Sequence, residues 1–249
     1  MARGFGATHG VANRTDLIAS ALTTTSTLRS WMLLYNADTW QDLTRLWDQR
    51  SGSGAENEVL LKVTGSLLLK YFRRYTTTPG EWTITQPSTD TWHRLVMTYD
   101  SGNTANNPLI WMDGTPLTVT RAVAPVGAPT TDARPYNLGN LSFDAGVDVN
   151  INGHLAEFAV WNRLLSAPEV AALQTNTSPK SSAVVDTVPL NTSLVEYIPM
   201  LQTDAPVISC VLANPTVTGT LATAHPYASI GCAFGGLGGA WHHRRLMEA

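Results

Sequence analysis

The 249-residue sequence has few charged residues: Asp, Glu, Lys and Arg make up 14% of it, and its net charge is −3. Soluble domains usually carry about 25% charged residues. Proteins that bind nucleic acid or an anionic membrane electrostatically need a basic surface, which this composition does not provide. We therefore exclude nucleic-acid binding and predict a surface made polar by neutral residues, mainly Thr, Ser, Asn and Gly.

Long apolar runs and cysteines are also scarce. No segment approaches the roughly 20 apolar residues of a membrane-spanning helix, which argues against membrane insertion. Residues 1–6 lack the apolar run of a signal peptide, so we expect synthesis in the cytoplasm without Sec-dependent export. Without an export signal, Cys210 and Cys232 are expected to be reduced, and a disulfide between them stays open as an alternative.

Short apolar segments recur about every ten residues with turn sequences between them, as in antiparallel β-sandwiches. Turns are predicted at Gly65-Ser66 and at Pro79-Gly80. The helical patterns that alternating parallel βα units would require are missing. In this first part of the chain, strands are predicted at residues 30–35, 43–50, 59–63, 67–72 and 82–84.

The most informative stretch of the chain is residues 91–173. Residues 91–100 and 108–112 alternate between apolar and polar side chains, as half-buried strands do. Asp113-Gly114 is a hairpin-turn sequence, because glycine readily adopts the positive φ that such turns require. In the first strand, one predicted face holds Leu95, Met97 and Tyr99, and the other holds Arg94, Val96 and Thr98.

The end of this stretch combines a strand and a short helix. Residues 153–163 predict a strand that is mostly buried. The helix is predicted from Ser166 to Leu173, because Ser166 is a suitable N-cap and Glu169 follows it at the spacing of a capping box. It is the only helix that the sequence predicts.

Three pieces of this stretch carry a family resemblance. They are a Trp-His strand that ends in Thr98-Tyr99-Asp100, a strand that ends in Asp113-Gly114, and a Gly-His-Leu-Ala-Glu-Phe-Ala-Val-Trp-Asn-Arg strand that leads into Leu165-Ser166. In this order they resemble the laminin G-like jelly roll of the concanavalin A-like lectin/glucanase superfamily. The resemblance extends more loosely from Phe5 to Tyr227. It implies an all-β fold, a two-sheet antiparallel jelly-roll sandwich, rather than an activity.

The chain divides into three predicted parts. Residues 1–177 form the jelly-roll core, and residues 178–228 form an extension whose strands, at 194–200 and 217–221, complete or wrap the sandwich. Residues 229–249 are a Gly-rich tail that cannot bury enough surface to fold alone. We expect the tail to attach to a partner, although folding back onto its own sandwich stays an alternative. Its predicted partner-binding residues are Phe234, Trp241, Arg244 and Arg245.

The sequence does not predict a carboxylate-based catalytic site. Glycosidases need two carboxyl groups that face the sugar, about 5 Å apart in retaining enzymes. Glu56 and Glu58 have the spacing of residues on one strand face, but no third carboxylate follows, and we expect both in a solvated loop. The family resemblance implies that Glu157 supports the structure by bonding a neighbouring loop. A Gly-x-Ser-x-Gly nucleophile elbow is also missing.

No cofactor is predicted, but Ca²⁺ is kept as an alternative. Ca²⁺ takes six to eight oxygen ligands from carboxylates, amides and carbonyls. The same residue types also build ordinary turns. The metal candidates in one loop are Asn140, Asp144, Asp148 and Asn150, and a second group is Asp100, Asn103, Asn106 and Asn107.

Aromatic residues are considered as sugar-stacking groups, since laminin G-like modules often bind glycans. Ligand-binding candidates, chosen because they lie beside polar or turn residues, are Trp40, Tyr71, Arg73, Trp82 and Tyr136. Arg73 and Arg74 could together form a polar binding edge, whereas packing in the core or at its rim is the alternative for the aromatic candidates. The tryptophans predicted to lie in the core are Trp31, Trp92, Trp111 and Trp161.

Taken with the resemblance, these features predict a non-enzymatic structural and binding protein. The chain is most similar to stand-alone laminin G-like proteins of bacteria and their phages. This implies a decoration or fibre-associated component of a virion surface, made in the host cytoplasm. Its expected partners are protein subunits of a larger assembly, in which it would be oligomeric, and surface glycans. The alternatives are a soluble carbohydrate-binding module, in the bacterial cytoplasm or at the cell surface, and a glucanase-type glycoside hydrolase.

Overall fold

The computed structural model describes residues 3–5, 15–16, 26–51, 55–131, 136–139, 151–174, 190, 192–198 and 216–217. Its strands are β1 Arg3–Phe5, β2 Thr15–Asp16, β3 Leu28–Thr39, β4 Arg45–Ser51, β5 Ala55–Lys62, β6 Leu68–Arg73, β7 Gly80–Thr85, β8 Trp92–Asp100, β9 Leu109–Met112, β10 Thr115–Pro116, β11 Thr120–Val123, β12 Asn137–Leu138, β13 Asn152–Trp161, β14 Leu194–Ile198 and β15 Thr216–Val217. The helix that it describes is α1, Ala167–Gln174.

The strands form two antiparallel sheets. The seven-stranded sheet has the order β1-β13-β3-β8-β9-β10, and β14 also pairs with β13. The eight-stranded sheet has the order β11-β7-β6-β5-β4-β12-β2-β15. The predicted two-sheet antiparallel jelly roll is therefore confirmed. Neither sheet contains parallel neighbours among the described pairings.

The main core lies between the two sheets and is built largely from aromatic rings. Trp31 of β3 stacks on Trp47 of β4 with ring centroids 6.4 Å apart and planes at 7°. Tyr71 of β6 stacks on Trp82 of β7 at 5.7 Å. Burial of such large rings is a major source of folding free energy, and offset stacking adds to it. The core also holds Leu95, Met97 and Tyr99, which confirms the predicted inner face of β8.

A second cluster covers part of the outer face of the seven-stranded sheet. Here α1 packs its Val170 and Leu173 against the sheet, and Val96 from the outer face of β8 joins them. Trp161 is fully buried in this cluster and donates its indole N–H to the carbonyl oxygen of Leu190 at 2.6 Å. The sandwich thus has an inner core between the sheets and an outer core beneath the helix.

The tryptophan prediction is only partly right. Trp31 and Trp161 are fully buried, as expected. Trp92 and Trp111 are only half-buried, because both point to the outer face of the seven-stranded sheet, where α1 does not fully cover them. Trp47 belongs to the core instead, with no exposed surface. Strand position alone does not show which side of a sheet another element covers.

The predicted turn and helix start are both present. Asp113 and Gly114 have φ values of 51° and 83°, and the hairpin that they close joins β9 to β10. The backbone N–H of Ser166 donates to Glu169 Oε2 at 2.8 Å, which is one half of a capping box. Glu169 also binds the guanidinium of Arg163. The carboxylate therefore holds both the helix start and the segment before it.

Replacing Glu169 with Ala should lower the free energy of unfolding by about 1–2 kcal/mol, the usual range for losing a helix cap. Burial opposes ionisation of Glu169, but hydrogen bonds from Arg163 and Ser166 keep its pKa below the ordinary value. Its contribution is therefore present at neutral pH and is lost as the pH falls through the lowered pKa. Urea denaturation should show a clear difference in unfolding free energy from the wild type at pH 7, and this difference should narrow as acidification protonates the Glu169 carboxylate. A difference that does not change with pH would contradict the assigned role of the carboxylate.

Several sequence predictions concern the C-terminal third of the chain. The strand predicted at 194–200 is β14, and the one predicted at 217–221 overlaps β15. β14 pairs with β13 and β15 pairs with β2. The tail residues Phe234, Trp241, Arg244 and Arg245 lie outside the described residues, as do both cysteines, so those predictions and the three-part division stay predictions. Among the described residues, no helix is long and apolar enough to cross a membrane.

Candidate ligand-binding cleft

A cleft of about 680 Å³ opens at one end of the eight-stranded sheet. We call it the Arg74 cleft. The side chains around it include two aromatic rings, two charged groups and three threonine hydroxyls. Its lining residues are Glu56, Phe72, Arg74, Tyr75, Thr76, Thr77, Pro79 and Thr130.

Strand alternation decides which residues of β6 reach the cleft. Successive side chains of a strand point to opposite faces. Tyr71 and Arg73 point into the sandwich and are 1% and 3% exposed. Phe72 points the other way, and both it and Arg74, the residue directly after β6, are half-buried and line the cleft. Of the predicted polar edge, Arg74 therefore lies at the cleft and Arg73 does not.

The chain that follows β6 forms a fixed rim for the cleft. Thr76 N–H donates to the Ala128 carbonyl at 2.9 Å, and Val126 N–H donates to the Thr78 carbonyl at 2.9 Å. The turn in the facing segment is made by Gly127, with φ of 94°. A Cβ at this position would lie 2.2 Å from Thr76 Oγ1, so a larger residue would displace the rim.

Two further contacts anchor the cleft to the rest of the sandwich. Thr130 Oγ1 donates to Asn57 Oδ1 at 2.6 Å, next to the start of β5. The Tyr75 hydroxyl lies 2.7 Å from the Tyr99 hydroxyl and donates to the Ser101 carbonyl at 3.0 Å. Burial raises the pKa of Tyr75, so its phenol stays neutral. The floor of the cleft is thus tied to the aromatic core.

The two charged side chains of the cleft differ in their partners. Glu56 Oε1 lies 2.9 Å from Arg45 Nη2 and forms an ion pair with it. For the Arg74 guanidinium, the described part of the chain offers no hydrogen bond or ion pair. The other arginines and lysines whose side chains are described all have acceptors, and these are Arg29, Arg45, Lys62, Lys70, Arg73, Arg94, Arg121 and Arg163.

Behind the cleft, Glu58 is fully buried, and Glu56 lies on the same strand, so the prediction that both lie in a solvated loop is wrong. The strand begins at Ala55, four residues earlier than predicted, which places Glu58 on the inner face of β5. Arg29 Nη1 donates to Glu58 Oε2 at 3.1 Å, and the Tyr71 hydroxyl donates to Oε1 at 2.7 Å. The hydroxyl of Tyr136 also donates to Oε2, and Arg73 Nη1 lies 3.6 Å from the same atom. We call these five residues the Glu58 network.

Three of the predicted ligand-binding residues, Tyr71, Arg73 and Tyr136, are buried as members of the Glu58 network. Burial, followed by the nearby Glu58 charge, raises the pKa values of Tyr71 and Tyr136, so both phenols remain donors. Trp82 is 1% exposed and donates its indole N–H to Asn107 Oδ1 at 2.9 Å. These aromatic residues and Arg73 are therefore packed inside the sandwich, which was the alternative to binding a ligand.

Trp40 differs from the other aromatic candidates because it is half-buried at the rim of the core. Its indole N–H donates to the Pro87 carbonyl at 3.2 Å, and its ring meets Tyr35 edge-on at 6.0 Å. It does not line the Arg74 cleft. Phe72, which does, was not singled out in the sequence, although its place beside Tyr71 on an alternating strand is the signal that could have identified it.

The second group of metal candidates is held by contacts within the protein. Asp100 Oδ1 accepts from the Gly102 N–H at 2.9 Å, as in an Asx turn. Asn107 Oδ1 accepts from Arg121 Nε at 2.7 Å, and the same guanidinium binds neighbouring carbonyls. The ordinary-turn alternative therefore accounts for these oxygens. Within the described residues no three His, Cys, Asp or Glu side chains form a metal-binding group, and Asn140, Asp144, Asp148 and Asn150 lie outside them.

Glu157 forms a buried ion pair with Arg94. It is 6% exposed on β13, and Arg94 Nη2 of β8 lies 3.4 Å from its Oε2. Burial raises the pKa of Glu157, and the Arg94 charge opposes that effect. Arg94 also donates to the Leu173 carbonyl near the end of α1. The pair therefore ties the sheet to the helix, and a bond from Glu157 to a neighbouring loop stays a prediction.

The fold defines a lectin-like jelly roll, and the sequence profile of the laminin G-like family, within the concanavalin A-like lectin/glucanases superfamily, matches residues 5–171. The chain belongs to this family. No curated protein sequence matches the chain.

Solved structures share the fold at low sequence identity. A candidate carbohydrate-binding protein from Bacteroides ovatus has a TM-score of 0.62 at 15% identity, over 88% of this chain and 59% of that one. The CBM40 of the Ruminococcus gnavus IT-sialidase, bound to α2,3-sialyllactose, has a TM-score of 0.52 at 12% identity, over 69% of this chain and 96% of that one. A heptameric SAP-like pentraxin from Limulus polyphemus has a TM-score of 0.51 at 9% identity, over 70% of this chain and 81% of that one. The chain thus spans less than two thirds of the Bacteroides protein.

Proposed function

We propose that this protein is a non-enzymatic glycan-binding protein that holds its ligand in the Arg74 cleft. One observation carries the proposal: a ring, several hydroxyls and an unpaired guanidinium line one cleft of about 680 Å³. Small-molecule sites have volumes of about 300–1,000 Å³ and combine apolar walls with a few polar groups. The face of Phe72 would carry the apolar side of a sugar ring, and Thr76 and Thr77 would bind its hydroxyls.

The family and its structural neighbours support this proposal. The Bacteroides protein is described as a candidate carbohydrate-binding protein, and the Ruminococcus module was solved with a bound sialylated sugar. Both share only the fold with this chain, so they support the class of ligand and not the position of the site. The position rests on the cleft itself.

The arrangement of carboxylates favours binding without hydrolysis. An acid catalyst and its partner carboxylate must both face the sugar, about 5–5.5 Å or 6.5–9.5 Å apart. Glu58 has no solvent-accessible surface and accepts hydrogen bonds from Arg29 and Tyr71. Glu56 is the one carboxylate in the described lining of the cleft, and it forms an ion pair with Arg45. Such a site would hold a glycan without the pair of groups needed to cleave it.

The proposal is tested with a glycan array, followed by calorimetric titration of the glycans that bind. Replacing Phe72 with Ala should weaken binding roughly tenfold, because an aromatic contact is worth about 1 kcal/mol or more. The matched control is Leu68→Ala, since Leu68 is an exposed apolar residue on the same face of β6 but outside the cleft. It should bind like the wild type. Absence of binding to every glycan, or equal weakening by the two substitutions, would contradict the proposal.

The role as a virion surface component stays a prediction, as do the partner subunits and the location at a particle. These predictions rest on the family resemblance and on the tail of residues 229–249, which lies outside the described residues. Co-sedimentation of the protein with intact particles, compared with a variant that lacks residues 229–249, tests them separately from glycan binding.

A further inference from the structure

The Arg74 guanidinium is the exception among the cationic side chains that the structure describes. The other arginines and lysines each contact a carboxylate, a carbonyl or an amide oxygen within the protein. Arg74 lines the cleft at the end of the eight-stranded sheet and has no such contact with the described residues there. A half-buried guanidinium has lost part of its hydration, so an anionic partner in the cleft would stabilise it.

We infer that the glycan bound in the Arg74 cleft carries a carboxylate and that the Arg74 guanidinium binds this group. The inference rests on the proposed function and names the chemical class of its ligand, an acidic sugar. The planar guanidinium presents two parallel N–H donors at the spacing of the two carboxylate oxygens, which gives a bidentate pair.

The backbone of Arg74 is held on both sides, which limits where its side chain can reach. Its N–H donates to the Asn57 carbonyl at 2.8 Å. Its carbonyl accepts from the Thr130 N–H at 3.1 Å. A charged group on an anchored backbone loses less conformational freedom on binding than one on a mobile loop. The guanidinium is thus presented to the cleft from a preorganised base.

The charges in the cleft fit one carboxylate better than a doubly charged phosphate group. Glu56 is the one carboxylate in the described lining, and Arg45 already pairs with it at 2.9 Å. Arg73, the adjacent arginine, points into the sandwich and belongs to the Glu58 network. Arg74 therefore offers a single unpaired positive charge, with no second cation in the described lining to share a larger negative charge.

The remaining lining residues favour a sugar acid over a small free acid. Phe72 lies on β6 two residues before Arg74, which directly follows the strand, and both side chains line the same cleft. The hydroxyl-bearing residues Thr76 and Thr77 follow along the rim. A free carboxylic acid would use only the guanidinium, whereas a sugar acid would also use the ring and the hydroxyls.

The experiment compares pairs of ligands that differ in the carboxylate. Trigalacturonic acid is titrated against its methyl ester, and 3′-sialyllactose against the methyl ester of its sialic acid, with the unmodified protein. The wild type should bind at least one acidic member about tenfold or more tightly than its neutral counterpart, and the pair that shows this identifies a uronic or a sialic acid. Equal affinity for the members of both pairs would overturn the inference while leaving the proposed function intact. No binding of any glycan would overturn both.

Three variants then test the assignment to Arg74. Arg74→Gln should abolish the preference for the acidic ligand, and Arg74→Lys should keep part of it, because a lysine retains the charge but not the bidentate geometry. Lys70→Gln is the matched control, since Lys70 lies on the same face of β6, pairs with Glu81 at 3.2 Å and does not line the cleft. It should preserve the preference. Equal losses in Arg74→Gln and Lys70→Gln would show a general charge effect and overturn the assignment.

Discussion

Replacing Glu58 with Ala is expected to lower the free energy of unfolding by about 3–5 kcal/mol, the range seen when one partner of a buried ion pair is removed. Glu58 has no exposed surface and lies between Arg29 and Arg73, which are 6% and 3% exposed. Without the carboxylate, both guanidinium charges would stay buried with fewer acceptors. The hydroxyls of Tyr71 and Tyr136 would each lose the acceptor of their hydrogen bond. An unpaired buried charge is costly because water cannot replace the lost partner.

The measurement is chemical denaturation of the wild type, Glu58→Ala and a control variant. The control is Glu81→Ala, which removes a carboxylate from the same sheet where it pairs with Lys70 and both side chains are 24% exposed. Exposed pairs of this kind contribute about 0–1 kcal/mol. Equal shifts in the denaturation midpoint for the two variants would show that the Glu58 network does not have the assigned importance.

Replacing Trp47 with Ala is expected to cost about 3–5 kcal/mol, as large-to-small changes in a close-packed core do. Trp47 has no exposed surface and contacts rings from the opposite sheet: it stacks on Trp31 at 6.4 Å and meets Phe158 at 6.3 Å. Its loss would open a cavity where the two sheets meet. The side chains around that cavity are held by their own strands, so they could refill it only in part.

Trp92 provides the comparison for this prediction. It begins β8, is half-buried and packs on the outer face against Leu34 and Ala156, with the His154 ring at 6.3 Å. Trp92→Ala should cost less than about 2 kcal/mol, because part of its surface is exposed to water in the folded protein. Denaturant titrations of both variants measure the difference. A larger loss for Trp92 than for Trp47 would contradict the assignment of the inner core.

The parts of the fold that could be predicted are those that depend on residues close together in the sequence. The alternation of Leu95, Met97 and Tyr99 is a local pattern, and the inner core contains all three. The spacing of Ser166 and Glu169 gives the helix start in the same way. The order of three such local patterns also gave the family, since it depends on the sequence and not on contacts between distant residues.

The features that could not be predicted depend on contacts between distant parts of the chain. Glu58 follows a Gly/Ser segment and was interpreted as a loop residue, yet Arg29 and Tyr136, 29 and 78 residues away, hold it in the core. The half-burial of Trp92 likewise depends on which segments cover the outer face of the seven-stranded sheet. Neither fact can be read from the residues beside it.

The same limit applies to the candidate site. Arg73 and Arg74 are adjacent residues of the same type, so the sequence does not distinguish them. The pairing of β6 with β5 shows which of the two faces the core. The cleft exists because the chain after β6 meets residues 126–130, about fifty positions later. The sequence could therefore indicate a polar edge near these arginines, but not which residue lies at the ligand.

The most direct test of the account is a crystal structure of the protein with the tightest-binding acidic glycan. We predict the sugar ring against Phe72 in the Arg74 cleft, with its carboxylate within about 3 Å of the Arg74 guanidinium nitrogens, the usual length of a charge-assisted hydrogen bond. A glycan bound elsewhere, for example on the outer face of the seven-stranded sheet beside Trp92 and His154, with the Arg74 cleft unoccupied, would contradict it.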